Sequence, residues 1–152
     1  MFMVSEPLLG WRAVQVTDRR TAKDFAEVVR WLVADVPPEA ETVVLVLDNL
    51  NTHTVASLYA AFPPEQARRL AERLEIHHTP KHGSWLNMAE IELSVWARQC
   101  RARRIGDVAM LKREVEAWEL DRNERQVGVK WRFTTADARI KLRHLYPSAQ
   151  TG

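Results

Sequence analysis

The apolar run from Val43 to Leu47, which ends directly in Asp48, is the feature that most constrains how this chain folds. Apolar residues in succession, without polar alternation, are typical of a strand that is covered on both faces. Hairpin and helix patterns ahead of the run indicate a sheet with helices packed against it. The sequence therefore predicts an α/β domain in which Asp48 stands at the end of a buried strand.

The other elements follow from turn, capping and periodicity signals. Residues 1 to 16 predict a β-hairpin that turns between Pro7 and Gly10. Thr21 and Asp24 form a capping pair at the start of a helix, and Pro37-Pro38 ends that helix. Further predicted elements are helical pieces within 54 to 74 broken at Pro63-Pro64, a strand from Glu75 to Thr79, a helix from Asn87 to about Arg103, a helix after Gly106-Asp107 with Val108, Leu111, Val115 and Trp118 in its core stripe, and a capped helix after Thr134.

Glu90 is a second carboxylate with a possible chemical role, because it follows a Pro/Gly loop and lies in the first turn of a predicted helix. Asp48 and Glu90 in one cleft would hold divalent cations through carboxylate oxygens. Plainer interpretations stay open: an Asp-Asn pair after a strand is also typical of a turn, and Asn87 to Glu90 also matches a capping box. Glu92, two residues further along the helix, points well away from Glu90.

The sequence from Asp48 to Glu90 closely resembles the catalytic domain of mariner-like DDE transposases from bacterial insertion sequences. In that family the second metal-binding Asp ends a strand in an Asp-Asn pair, as Asp48 does, and the third acidic residue ends an Asn-x-x-Glu motif, as Glu90 does. The segments that carry the resemblance are Asp48-Asn49 with His53, Thr79 to Glu90, Trp118-Glu119 with Arg122-Asn123, and Trp131 to Thr134 with Ala138 to Leu142.

The resemblance implies a ribonuclease H-like mixed sheet flanked by helices, and metal-dependent DNA cleavage and strand transfer. Asp48 and Glu90 would be the catalytic and metal-binding residues, with two Mg²⁺ or Mn²⁺ ions in a complete site. Asn49, His53 and Asn87 would support the site, although local packing explains His53 equally well.

DNA would be the partner, and the charge distribution agrees with this. Residues 1 to 97 carry a net charge of −4 and residues 98 to 143 a net charge of +6. A basic half can contact phosphate, although a solvated helix face explains such charge too. The residues predicted to contact DNA are Lys81, His82, Arg98, Arg101, Arg103 and Arg104.

One departure from the family limits the expected activity. The family's first catalytic Asp sits on a strand ahead of the hairpin, and this sequence starts at the hairpin. The site is therefore expected to lack its first strand and first Asp. Two functions stay open: a transposase catalytic-domain fragment that is inactive alone, or a non-catalytic remnant that binds DNA or a full-length transposase. A homodimer is a further expected assembly.

Composition sets the remaining bounds. A length of 152 residues suits one domain, here residues 1 to 147 with a tail from 148 to 152. A single cysteine, Cys100, excludes an internal disulfide, and the histidines give no recognisable zinc pattern. No apolar stretch approaches the roughly 20 residues of a membrane span. The sequence predicts a cytoplasmic protein.

Overall fold

A computed structural model describes residues 1–36, 40–48, 53–79, 88–100, 105–128, 134–141 and 143. In this part of the chain no helix is long and apolar enough to cross a membrane. The elements are β1 (Phe2–Glu6), β2 (Trp11–Gln15), α1 (Ala22–Asp35), β3 (Val43–Leu47), α2 (Ala56–Ala61), α3 (Pro64–Glu72), β4 (Leu74–His78), α4 (Met88–Cys100), α5 (Val108–Glu124) and α6 (Thr135–Lys141).

The strands form two separate sheets of two strands each. β1 and β2 are antiparallel, with Phe2 opposite Gln15. β3 and β4 are parallel, with Leu47 opposite His78. The structure thus contains one antiparallel and one parallel strand pair, as a mixed sheet requires. Within the described residues, however, β1 and β3 do not pair with each other, so the two pairs do not form one sheet. The structure is therefore a mixed α/β arrangement of small sheets and helices.

Helix α1 joins the two sheets and begins at the predicted capping pair. The Thr21 backbone N–H donates to Asp24 Oδ2 at 2.7 Å, and the Asp24 N–H donates to Thr21 Oγ1 at 3.3 Å. The Thr21 hydroxyl also donates to Asp24 Oδ2, at 2.6 Å, and the hydrogen bonds from this hydroxyl and from the Thr21 N–H to the carboxylate lower the pKa of Asp24. The apolar face of the helix lies in a core whose buried members are Phe25, Ala26, Val29, Val33, Leu58, Ala67 and Leu70.

Strand β3 is covered on one face and not on both. Leu45 and its alternate neighbours pack against the α1 core, whereas Val44 and Val46 are 60% and 57% exposed. The prediction of a doubly covered strand is therefore wrong for the described structure. All five residues of β3 are apolar, yet their exposure alternates along the strand, because successive side chains of a strand point to opposite faces.

A second core joins the hairpin to α4 and α5. Its buried members are Val14, Trp96, Val115 and Trp118. Leu111 packs against this core as predicted, but Val108 is 52% exposed. Val108 is the first residue of α5 and lies ahead of the part of the helix that contacts β2. The predicted core stripe of α5 is therefore wrong at Val108.

Candidate active site

Asp48 lies directly after β3 and is hydrogen-bonded to His53. His53 Nδ1 is 2.6 Å from Asp48 Oδ1, and the side chain of Asp48 is 27% exposed. An ionised carboxylate has no proton to give, so Nδ1–H is the donor and the other ring nitrogen, Nε2, points away from this bond. The pair therefore holds one oxygen of Asp48 in a defined position at a partly exposed strand end.

Aromatic side chains fix the ring of His53. It stacks on Phe25 of α1 with ring centroids 4.6 Å apart and planes 22° apart, and it also contacts Phe2 of β1 at 6.1 Å. Its side chain is only 12% exposed. The ring of His53 therefore packs against the core while Nδ1 bonds to Asp48, and a supporting role in a metal site stays a prediction.

A cleft of about 370 Å³ lies between β1 and β3. Its walls are successive residues of both strands, Phe2 to Glu6 and Val44 to Leu47, and His53 lies at its border. Its floor is the apolar face of α1, formed by Phe25, Val28, Val29 and Leu32.

Glu90 follows two residues of α4, Met88 and Ala89, that also line this cleft. Met88 borders a small pocket with Pro7 as well, so α4 starts beside the C-terminal end of β1. His53 contacts the other end of that strand. The cleft therefore borders both His53, which is hydrogen-bonded to Asp48, and the first turn of α4, which carries Glu90. Shared coordination of one ion by both carboxylates stays a prediction.

Glu92 belongs to a buried ionic cluster with Arg12 of β2 and Arg122 of α5. Its carboxylate lies 3.0 Å from Arg12 Nε and 3.1 Å from Arg122 Nη2. The side chains of Arg12 and Glu92 are 2% and 3% exposed. Arg12 also donates to the backbone oxygen of Val127, and the guanidinium of Arg122 lies 5.2 Å from the centre of the Trp118 ring. Burial lowers the pKa of Arg12, and the Glu92 carboxylate raises it again.

Helix α5 closes the outer edge of β2 with two side chains. Asn123 accepts from the Arg12 N–H at 2.9 Å and donates to the Arg12 carbonyl at 2.8 Å. One turn earlier, Glu119 accepts from the Val14 N–H at 2.9 Å. Burial raises the pKa of Glu119, although the hydrogen bond from Val14 acts in the opposite direction. These side chains replace the strand that would otherwise satisfy the edge.

This finding explains the second motif of the sequence. In Trp118-Glu119 with Arg122-Asn123, Trp118 Nε1 donates to Gln99 Oε1 at 2.8 Å, and the other three side chains bind the hairpin or Glu92. The motif therefore has a structural role in the fold. Sequence analysis missed Arg12 as the partner of Glu92, and its only available signal was an arginine inside a strand pattern.

Of the residues predicted to contact DNA, Arg98 is exposed on α4. Within the described residues 105–128, 134–141 and 143, the exposed basic residues are Lys112, Arg113, Arg125, Arg139, Lys141 and Arg143. The remaining predicted site residues lie outside the described residues; they are Asn49, Lys81, His82, Asn87, Arg101, Arg103 and Arg104.

The chemistry of the donors fits a hard divalent cation. Asp48 offers carboxylate oxygen, and the hydrogen bond from His53 is the kind of outer contact that orients a metal-binding carboxylate. In the described parts of the chain, no group of three or more His, Cys, Asp or Glu side chains is placed to hold a metal ion.

Comparison with known families agrees with the mixed α/β fold. Residues 1–112 match the family described as DDE superfamily endonuclease, so the chain belongs to that family. Endonucleases of this superfamily generally use divalent metal ions and act on DNA. No curated protein and no solved structure matches the chain. The family-level part of the resemblance is thus confirmed.

Proposed function

We propose that this chain is the catalytic part of a mariner-like transposase of a bacterial insertion sequence, built on a ribonuclease H-like fold. The observation that carries the proposal is the Asp48–His53 pair, which presents an oriented carboxylate at the end of a parallel strand beside a cleft. Membership of the DDE superfamily endonuclease family supports a transposase-like nuclease. The reaction would be cleavage and strand transfer of DNA.

Asp48 and Glu90 would hold Mg²⁺ or Mn²⁺ in this site. The bound metal would supply activation of a water or 3′-hydroxyl and stabilisation of the leaving oxygen. His53 keeps one oxygen of Asp48 in place through Nδ1. Asn49, next to Asp48 in the sequence, and Asn87, three residues before Glu90, would support the site.

Metal binding at Asp48 is tested by titrating Mn²⁺ into labelled protein and following the paramagnetic broadening of the His53 ring signals. We expect broadening that Asp48→Asn abolishes, because the carboxylate is the ligand nearest that ring. Asp35→Asn removes an exposed carboxylate at the end of α1 and is the matched control. Equal broadening in Asp48→Asn and the unaltered chain would remove Asp48 from the site.

We further propose that a third carboxylate must join Asp48 and Glu90 before the site can cut DNA. Two metal ions need a shared ligand to stabilise both the attacking and the leaving oxygen. The chain alone is therefore expected not to nick supercoiled plasmid with Mg²⁺ or Mn²⁺. Nicking by the chain alone that Asp48→Asn abolishes would show that its site is complete, and this part of the proposal would fail.

The alternative is a non-catalytic protein that binds DNA or a full-length transposase. It is supported by the observation that, among the described residues, no group of three or more His, Cys, Asp or Glu side chains is placed to hold a metal ion. Its DNA binding should weaken steeply as salt rises, because arginine contacts release counterions from phosphate. Arg98→Ala should lower the salt slope by about one, whereas Lys23→Ala on α1 should leave it unchanged. Identical slopes for all three proteins would exclude Arg98 from the interface.

A further inference from the structure

The N-terminal half of α4, which carries Glu90, is anchored to the rest of the fold by a charged side chain. Glu92 and Trp96 are the two buried residues of α4, all of which the structure describes. Trp96 lies in the C-terminal half, where Gln99 also accepts the indole N–H of Trp118 at 2.8 Å. The N-terminal half therefore has Glu92 as its one buried side chain.

Glu92 is held from two directions by partners that are themselves fixed. Its Oε2 lies 3.0 Å from Arg12 Nε of β2, and its Oε1 lies 3.1 Å from Arg122 Nη2 of α5. The backbone of Arg12 exchanges two hydrogen bonds with Asn123, and the guanidinium of Arg122 lies 5.2 Å from the centre of the Trp118 ring. Two directional contacts to two different elements define the rotation of α4 about its own axis more narrowly than an apolar contact does.

This rotation decides where Glu90 points. Successive residues of an α-helix are about 100° apart, so Glu90 and Glu92 lie on nearly opposite sides of α4. The ends of the side chains are about 5–6 Å from the helix axis, so a rotation of about 25° moves the Glu90 carboxylate by about 2.4 Å. That displacement exceeds the metal–oxygen distance of about 2.0–2.1 Å that Mg²⁺ requires. A change in the hold on Glu92 can therefore remove Glu90 from an ion while α4 stays folded.

Stability alone does not require charges at this place. Replacing a complete buried ionic cluster by apolar side chains of similar volume is often neutral or stabilising. An apolar set holds two elements together without fixing their rotation as closely, whereas a metal site needs ligands held within about 0.5 Å of the productive geometry. The charged cluster supplies the direction that the apolar set lacks.

We propose that the buried ionic cluster positions Glu90: by setting the rotation of α4, it places the Glu90 carboxylate on the metal ion that Asp48 also holds. Arg12, Glu92 and Arg122 are then positioning residues, which act through the backbone of α4 and not by touching the ion. This role rests on the proposed metal site.

The test is a double-mutant cycle on Mn²⁺ affinity, measured on the complete chain through the electron paramagnetic resonance signal of free Mn²⁺. One change makes the cluster apolar by combining Arg12→Met, Glu92→Leu and Arg122→Met, so that no unpaired charge stays buried. The other change is Glu90→Gln. Leu70→Ala is the control, because it loosens the α1 core instead. Urea unfolding shows that each variant is folded under the conditions of the titration.

We expect the apolar cluster and Glu90→Gln each to weaken Mn²⁺ binding at least about tenfold, as losses of ligand support usually do. The two changes together should weaken it no more than about twofold beyond either one, because a misplaced Glu90 has no contact with the ion left to lose. Leu70→Ala should leave the affinity unchanged.

Independent losses would overturn the proposal, that is, a Glu90→Gln effect as large in the apolar-cluster chain as in the unaltered chain. An equal loss in Leu70→Ala would overturn it too, because general loosening would then explain the effect. A cluster variant that does not fold is replaced in the cycle by Arg122→Lys, which keeps the charge but loses the planar fork of donors, and the same outcomes decide.

Failure of the proposed metal site gives a different result. In that case Glu90→Gln has no effect on Mn²⁺ binding by the unaltered chain, and the positioning role falls with the site. Independent losses with an effective Glu90→Gln leave the site in place and refute the positioning role alone.

Discussion

Replacing Glu92 with glutamine tests the buried ionic cluster most directly. The substitution keeps the shape of the side chain and a similar helix propensity. It removes the negative charge that pairs with both Arg12 and Arg122. Both guanidinium groups stay charged, because arginine does not lose its proton in proteins. The folded protein would then hold two cations close together, with Arg12 almost completely buried.

The expected loss is about 3–5 kcal/mol of the free energy of unfolding, the usual cost of breaking a buried ion pair on one side. Each guanidinium lies about 3 Å from a Glu92 oxygen, and at an effective dielectric constant of about 20 a contact of roughly 4 Å between charges contributes about 4 kcal/mol before desolvation. A domain of this size has about 5–15 kcal/mol in total. The substitution should therefore remove a large part of the stability.

Urea unfolding followed by tryptophan fluorescence measures this loss. With a slope of about 2 kcal/mol per molar urea, the midpoint should fall by about 2 M. Glu65→Gln is the control, because Glu65 pairs with Arg69 on the surface, where the two side chains are 81% and 64% exposed. That pair should contribute no more than about 1 kcal/mol.

A Glu92→Gln midpoint within experimental error of the Glu65→Gln midpoint would refute the reasoning. The charge of Glu92 would then contribute no more than a solvated surface charge, and burial could not be the reason for the strength of the cluster. A loss that disappears in high salt would refute it too, because salt screens buried pairs much less than exposed ones.

The other predictions concern the hairpin and the caps. Gly10→Ala should lower stability by at least about 1–2 kcal/mol, because Gly10 has φ +66° and a Cβ there would lie 2.7 Å from the Gln126 carbonyl oxygen; an unchanged unfolding midpoint would contradict this. Burial raises the pKa of Glu119 above its ordinary value of 4.5, so the folded state holds this proton more tightly and stability from it is lost as pH rises through the folded-state pKa. Glu119→Gln, which can still accept from the Val14 N–H, should therefore gain stability relative to the unaltered chain as pH rises above 4.5, and a pH-independent difference in urea midpoint would exclude this titration. Thr21→Ala should cost about 1 kcal/mol through loss of the cap of α1, measured by thermal unfolding, and a Tm equal to that of the unaltered chain would show that the cap contributes nothing.

Signals carried by neighbouring residues were enough to predict most of the elements. The capping pair of Thr134 and Asp137 is present, with the Asp137 N–H donating to Thr134 Oγ1 at 3.2 Å. Asp107 caps α5 as the Gly106-Asp107 signal indicated. Pro63-Pro64 separates α2 from α3. Each of these signals involves residues within about one helical turn of each other, so the local sequence is enough to predict it.

The candidate site was predictable only in part. Asp48 at a strand end followed from the apolar run, and its interaction with His53 spans five residues. The aromatic support of His53 could not be predicted, because Phe2 and Phe25 approach it from β1 and α1. The placement of Glu90 relative to Asp48 depends on how α4 packs on the hairpin, for which no local pattern exists.

The sequence by itself determined the order of strands and helices, their caps and the charge of the two halves. Only the tertiary structure decided which face of β3 is covered, that Glu92 pairs with Arg12, and that Asn123 closes an edge 111 residues away. The physical reason is that burial removes a charge or a backbone group from water, and its partner is then whichever group the packing of distant segments brings within hydrogen-bond distance.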